Sequence, residues 1–126
     1  MQNFRRVRAW RKAHGLLLAC RPIIRRFPRE YTSLKTQLRK ALESIATNIV
    51  EGCGCASQRE YARFLQHSIN SADETEYHLL VARDYGLLTA REWSQRTADV
   101  SQIRAMTMNL RRKILSDLEK EKEKEL

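Results

Sequence analysis

Glycine and proline are scarce in this chain, with four Gly and two Pro among 126 residues. So few turn formers leave room only for short connections between long regular elements. Aromatic residues make up only 7%, and no segment shows the apolar/polar alternation of a half-buried strand, so the elements are expected to be helices. No apolar run approaches the roughly 20 residues of a membrane span, and no membrane partner is expected. Cysteine is sparse and odd in number. Cys20, Cys53 and Cys55 have no framework spacing and fit a reducing compartment. Arg5-Arg6 followed by Leu16-Leu17-Leu18-Ala19-Cys20 has the outline of an export signal, but the apolar run is too short and Arg21, Arg25 and Arg26 follow at once. The expected location is the cytoplasm.

Acid is what the first third of the chain lacks. Residues 1–40 carry 12 Lys and Arg against the single acid Glu30, a charge of +11. The remaining residues carry 12 bases against 14 acids, or −2, which accounts for the net +9. An asymmetry of this size suits a polyanionic partner, with RNA, DNA or an anionic membrane surface as candidates. The plainer reading is a basic face that only keeps the protein soluble.

Apolar spacing divides the chain into four helices over about 5–27, 32–53, 57–85 and 89–120, within a single domain spanning residues 1–126. Val7, Trp10, Ala13, Leu17, Cys20, Ile24 and Phe27 recur at threes and fours on the first. Phe27-Pro28 ends it, and Pro22 should kink it by removing the hydrogen bond to Leu18. Leu34, Leu38, Ala41, Ile45, Asn48 and Gly52 mark the second, with Gly52-Cys53-Gly54 as an expected left-handed cap. Ser57-Gln58-Arg59-Glu60 and Thr89-Ala90-Arg91-Glu92 read as capping boxes that open the third and fourth helices. Glu119 to Glu125 alternates acid and base without an apolar face and reads as a frayed or solvated end. Short links between long amphipathic helices imply an all-α, antiparallel, up-down-up-down four-helix bundle.

The segment Phe27 to Glu76 resembles a four-helix-bundle family first noticed as proteins encoded by intervening sequences within bacterial 23S ribosomal RNA genes. The residues that carry the likeness are Phe27-Pro28, Leu34, Gln37-Leu38-Arg39, Ala41, Ser44-Ile45, Asn48-Ile49, Glu51-Gly52, Gly54 and Ser57. Glu60-Tyr61, Phe64-Leu65, Ser71 and Glu74 continue it, and Trp10, Lys12 and Ala13 echo the family's opening helix. Cys55, Asn70 and Thr75 depart from its usual residues. The resemblance implies a left-handed bundle that assembles into a ring-shaped homo-oligomer, a pentamer, and it implies no reaction. Distant relatives include basic ring-shaped accessory proteins of retroelements, which engage a reverse transcriptase and nucleic acid.

The candidate nucleic-acid-binding residues are Arg5, Arg8, Arg11, Lys12 and Arg26, roughly opposite the apolar stripe of the first helix, with Arg25 at its edge. No aromatic residues interleave with them, so contact with a duplex backbone is expected in preference to stacking on single-stranded bases. Gln37, Ser44, Asn48 and Glu51 on the second helix, with Ser71 and Glu74 on the third, are expected to form a buried polar layer that fixes register. In that register Gln37 stands level with Glu74, and Ser44 with His67. Cys53-Gly54-Cys55 lacks further ligands nearby, and His14, His67 and His78 are scattered, so neither a metal nor a cofactor is expected. The chain contains no nucleophile elbow, phosphate loop or dinucleotide fingerprint, and no catalytic residues are assigned. Leu16 and Ile23 flank the stripe, and Leu18, Leu80, Met108 and Leu115 exceed it. They widen the core or join subunits. The expectation is a non-enzymatic, homo-oligomeric protein that binds structured RNA or other nucleic acid, in one form as an accessory to an enzyme. A protein–protein scaffold is the alternative.

Overall fold

The computed structural model describes residues 2–126, and among them every regular element is helical. A 3-10 turn over Phe4–Arg6 precedes α1 (Arg8–Arg25), and another over Arg29–Tyr31 leads into α2 (Thr32–Cys53). α3 (Gln58–Asp84) and α4 (Ala90–Lys124) complete the fold. α1 packs on α2 and α4, and α3 packs on the same two helices, while among the described residues the backbones of the diagonal pairs stay more than 8 Å apart. Cross-helix contacts place Ile45 opposite Ser68 and Gly52 against Tyr61, which makes α2 and α3 antiparallel.

Local chemistry explains most of the boundaries. Ser57 Oγ accepts from the Glu60 N–H at 3.1 Å, but the Glu60 carboxylate turns to Arg63 at 2.9 Å instead of closing the box. At α4 the box is complete, since Thr89 Oγ1 accepts from the Glu92 N–H and Glu92 Oε1 accepts from the Thr89 N–H, both at 3.0 Å. α3 ends in a two-bond cap. The Gly86 N–H donates to the Arg83 carbonyl and the Leu87 N–H to the Ala82 carbonyl, both at 2.9 Å. Gly86 takes φ 76°, which a side chain would resist.

Several expectations need correction. α1 starts at Arg8, because the Asn3 side chain accepts from the Arg5 N–H and caps a separate turn, with extended Val7 between the two. Phe27 lies beyond α1 yet stays buried. Pro22, where the sequence leads one to expect a kink, lies within α1. It and Leu18 are exposed, so solvent can satisfy the carbonyl that proline leaves unpaired. α1 is also rotated from the expected stripe. Leu16 and Ile23 are core residues, whereas Leu17 is half-buried. Gly54 is right-handed at φ −83°, so the left-handed cap of α2 does not form. Gly52 is the glycine that matters there, for a Cβ on it would lie 2.7 Å from the Tyr61 ring and 3.1 Å from Phe64 Cβ. The charged end of α4 remains helical to Lys124 and exposed throughout. Glu and Lys three apart support such an end.

Candidate nucleic-acid interface

The six bases assigned to α1 and its flanks are all exposed. Arg5 lies over the Phe4 ring at 4.6 Å, and Arg11 Nη1 donates to the Arg5 carbonyl at 3.1 Å. These contacts gather Arg5 and Arg11 at the N-terminal end beside Arg8 and Lys12. Arg11 and Lys12 also border a small hollow against α4, near Asp99 and Gln102. Among the described residues, none of Arg5, Arg8, Arg11, Lys12 and Arg25 forms an ion pair.

Arg26 does not share their freedom. Its two guanidinium nitrogens hold the Glu92 carboxylate oxygens at 2.8 Å each. The hydrogen bond from Arg26, then that from the Thr89 N–H, depress the Glu92 carboxyl to about 2. The same carboxylate raises the Arg26 pKa. A base neutralised this way contributes little to a phosphate-binding set. Arg26 therefore belongs to the α1–α4 contact. The candidate set left out Arg21, which is exposed and borders the α1/α2 groove together with Arg25 and Arg39.

The expected polar layer divides in two. Ser44 and Ser71 hydroxyls meet at 2.7 Å across α2 and α3. Asn48 Nδ2 donates to the Ser44 carbonyl at 2.8 Å and to Ser44 Oγ at 2.9 Å. Gln37, Glu51 and Glu74 are exposed and stand outside this network. Their neighbours Leu38, Gly52 and Thr75 are buried, and one residue along a helix is a rotation of 100°. The register places Ser71, rather than His67, opposite Ser44, and His67 is exposed. Ser68 and Thr75 are buried hydroxyls that the polar layer omitted. Ser68 donates to the Ile45 carbonyl at 2.8 Å across the helices, and Thr75 to the Ser71 carbonyl at 2.9 Å within α3.

All three cysteines are free thiols. Burial pushes the Cys20 thiol up to about 12, which keeps it neutral. Cys53 Sγ donates to the buried Tyr61 hydroxyl at 3.5 Å, and Cys55 Sγ to the Glu51 carbonyl at 3.4 Å. Burial also raises the Tyr61 phenol. Among the described residues no cluster of three or more His, Cys, Asp or Glu could hold a metal ion. No helix among them is long and apolar enough to cross a membrane.

Aromatic residues stand closer to the bases than the sequence pattern suggested. Trp10 stacks on His14, their ring centroids 5.1 Å apart and their planes within 7° of parallel. Phe4 meets Trp10 edge-on at 4.8 Å. The expectation that no aromatic group accompanies the bases is corrected at this point.

The sequence profile of the 23S rRNA-intervening sequence proteins matches residues 5–109. The chain belongs to that family. The match takes in all six assigned bases, the whole α2–α3 hairpin and most of α4. Among solved structures, a protein with unknown function from the S23 ribosomal protein family of Bacteroides thetaiotaomicron, at 1.70 Å resolution, superposes with a TM-score of 0.77. It is 18% identical over 82% of this chain and 95% of its own. At that identity the likeness concerns the fold. No curated protein matches the chain.

Proposed function

We propose that this family member is a non-enzymatic, homo-oligomeric binding protein that engages the phosphate backbone of structured RNA or other nucleic acid through the basic flank of α1. The observation that carries the reading is the set Arg5, Arg8, Arg11, Lys12 and Arg25, exposed and without carboxylate partners among the described residues. Beyond residue 40 acids are mixed with the bases, and some of them pair across or along the helices. Arg104 bridges Asp73 at 3.0 Å and Glu76 at 2.6 Å, and Arg39 pairs with Glu43 at 2.9 Å. Bases on a helix that carries no acid of its own favour counterion release from a polyanion. Exposed Tyr77 and Met108 on α3 and α4 support assembly. A pentameric ring would present the α1 flank once per subunit, and several weak contacts would then act together.

A salt titration against duplex RNA and duplex DNA tests the reading. Removing Arg5, Arg8, Arg11 and Lys12 together should weaken binding evenly across sequences. It should flatten the log–log salt dependence by about 0.9 for each phosphate of B-form DNA that the variant no longer neutralises. Failure of the wild type to bind either duplex at low salt would overturn the reading and leave the scaffold in its place. Binding that survives the substitutions moves the site off α1. Light scattering that reports a monomer at micromolar concentration would remove the ring.

A further inference from the structure

Three hollows along the α1/α2 flank join end to end. The first, of about 270 Å³, is bordered by Trp10, His14 and Leu17 and faces Ala46 and Val50. The second, of about 530 Å³, shares Leu17 and Glu43 with it and adds Leu18, Arg21 and Arg25. The third, of about 430 Å³, shares Ile24, Arg25 and Arg39 with the second. The result is one groove with a planar aromatic group at one end, an apolar floor and guanidinium groups further along.

The aromatic end is built in a particular way. Trp10 is half-buried, packed against both core clusters and fixed edge-on by Phe4. His14 lies parallel on it, is itself exposed, and meets no other ring among the described residues. The stack thus ends on an imidazole with nothing aromatic beyond it. Arg21 and Arg25 follow on the same side of α1, seven and eleven residues on, or roughly 10 and 16 Å along the axis. Neither forms an ion pair among the described residues. Among those residues Glu43 is the carboxylate that borders the groove, and Arg39 offsets it at 2.9 Å.

We propose that this groove takes an unpaired nucleotide, its base extending the Trp10–His14 stack and its phosphates meeting Arg21 and Arg25. The inference rests on the nucleic-acid reading above and narrows it to a structured RNA that carries a bulged or looped-out base. Packed helices stand only roughly 8–10 Å apart, so a duplex cannot enter the groove between them, whereas an extruded base can. A π-face beside free guanidinium groups is the chemistry that holds single-stranded nucleotides. The α1 bases would grip the stem while the groove reads the bulge.

The test uses a hairpin RNA with one bulged adenosine and the same hairpin with the bulge paired out. Wild type should prefer the bulged form. His14→Ala, at an exposed position, should weaken the bulged hairpin by roughly ten-fold and the paired one by less than about two-fold. Arg21→Gln with Arg25→Gln should weaken the bulged hairpin and lower its salt dependence. A second readout does not depend on those variants. Trp93→Phe leaves Trp10 as the single tryptophan, and its emission should be quenched by the bulged hairpin but not by the paired one. Equal affinity of the wild type for both hairpins, equal loss on His14→Ala, or Trp10 emission indifferent to the bulge would each overturn the groove proposal while the nucleic-acid reading stands. Binding of neither RNA at low salt overturns that reading itself, and the groove proposal with it.

Discussion

The α2–α3 hairpin and the outer flank of α1 are held by different means. Between α2 and α3 the fit is close and directed: Gly52 lies against the Tyr61 ring, the Ser44 and Ser71 hydroxyls meet, and Ser68 reaches the Ile45 carbonyl. Each contact depends on a small residue that lets the backbones approach. α1 instead contributes an apolar inner face of Leu16, Cys20, Ile23 and Ile24. Among the described residues, its side chain-to-side chain hydrogen bonding to the other helices comes from Arg26, just past its end, to Glu92. Its outer surface is left to free bases. Substitutions should therefore act differently in the two regions. Changes within the hairpin should cost stability, and changes on the α1 flank should cost binding.

Gly52→Ala gives the sharpest test of the hairpin half. The new Cβ would meet the Tyr61 ring at 2.7 Å, and forced overpacking of this kind costs typically about 1–3 kcal/mol. Urea unfolding should show the midpoint fall with little change of slope. A protein as stable as the wild type would mean that the helices separate freely, and the contrast with α1 would lose its basis.

Asn48→Ala should come next. It removes both hydrogen bonds to Ser44 and leaves the Ser44–Ser71 pair without its second donor, at a cost of about 1 kcal/mol. The matching change outside the network, Gln37→Ala at an exposed position, should fall within about 0.5 kcal/mol of the wild type. Equal losses at the two sites would show that the network adds nothing specific.

Glu92→Gln probes the ion pair that ties the end of α1 to α4. Exposed pairs contribute about 0.2–1 kcal/mol, and the Arg26 side chain remains 54% exposed. The sign follows from the depressed Glu92 carboxyl, about 2 in the fold against an ordinary 4.5. Its contribution is complete above about 4.5 and fades as pH falls towards about 2. The stability gap between wild type and variant should therefore be level near neutrality and close in acid. A gap that widened on acidification would assign the effect to another group.

The smallest effect on stability is expected where the largest effect on binding is proposed. Replacing Arg8, Arg11 and Lys12 by Gln should leave the unfolding midpoint almost unchanged, since exposed substitutions away from caps and ion pairs stay within about 0.5 kcal/mol each. A large loss would mean that their aliphatic stems cover the apolar stripe. The two regions would then differ less than their contacts suggest.

Local pattern was enough to specify the four helices, their capping by Ser57 and Thr89, the end of α3 near residue 85, the membership of the family and the concentration of charge on α1. These depend on neighbours within a turn or two, or on residue types at fixed spacing. Packing settled the rest. Leu16 and Leu17 are adjacent and chemically identical, so only the fit against α2 and α4 could choose which enters the core. Gln37, Glu51 and Glu74 sit one residue from buried positions, and a 100° rotation sent them to solvent. Arg26 and Glu92 are 66 residues apart, a pairing that no local pattern encodes. The four-residue spacing of Trp10 and His14 is visible in the chain, but its place in an open groove appears only when α2 packs beside α1. Periodicity specifies which residues share a face. The direction that face takes depends on shape and charge contributed by the other three helices.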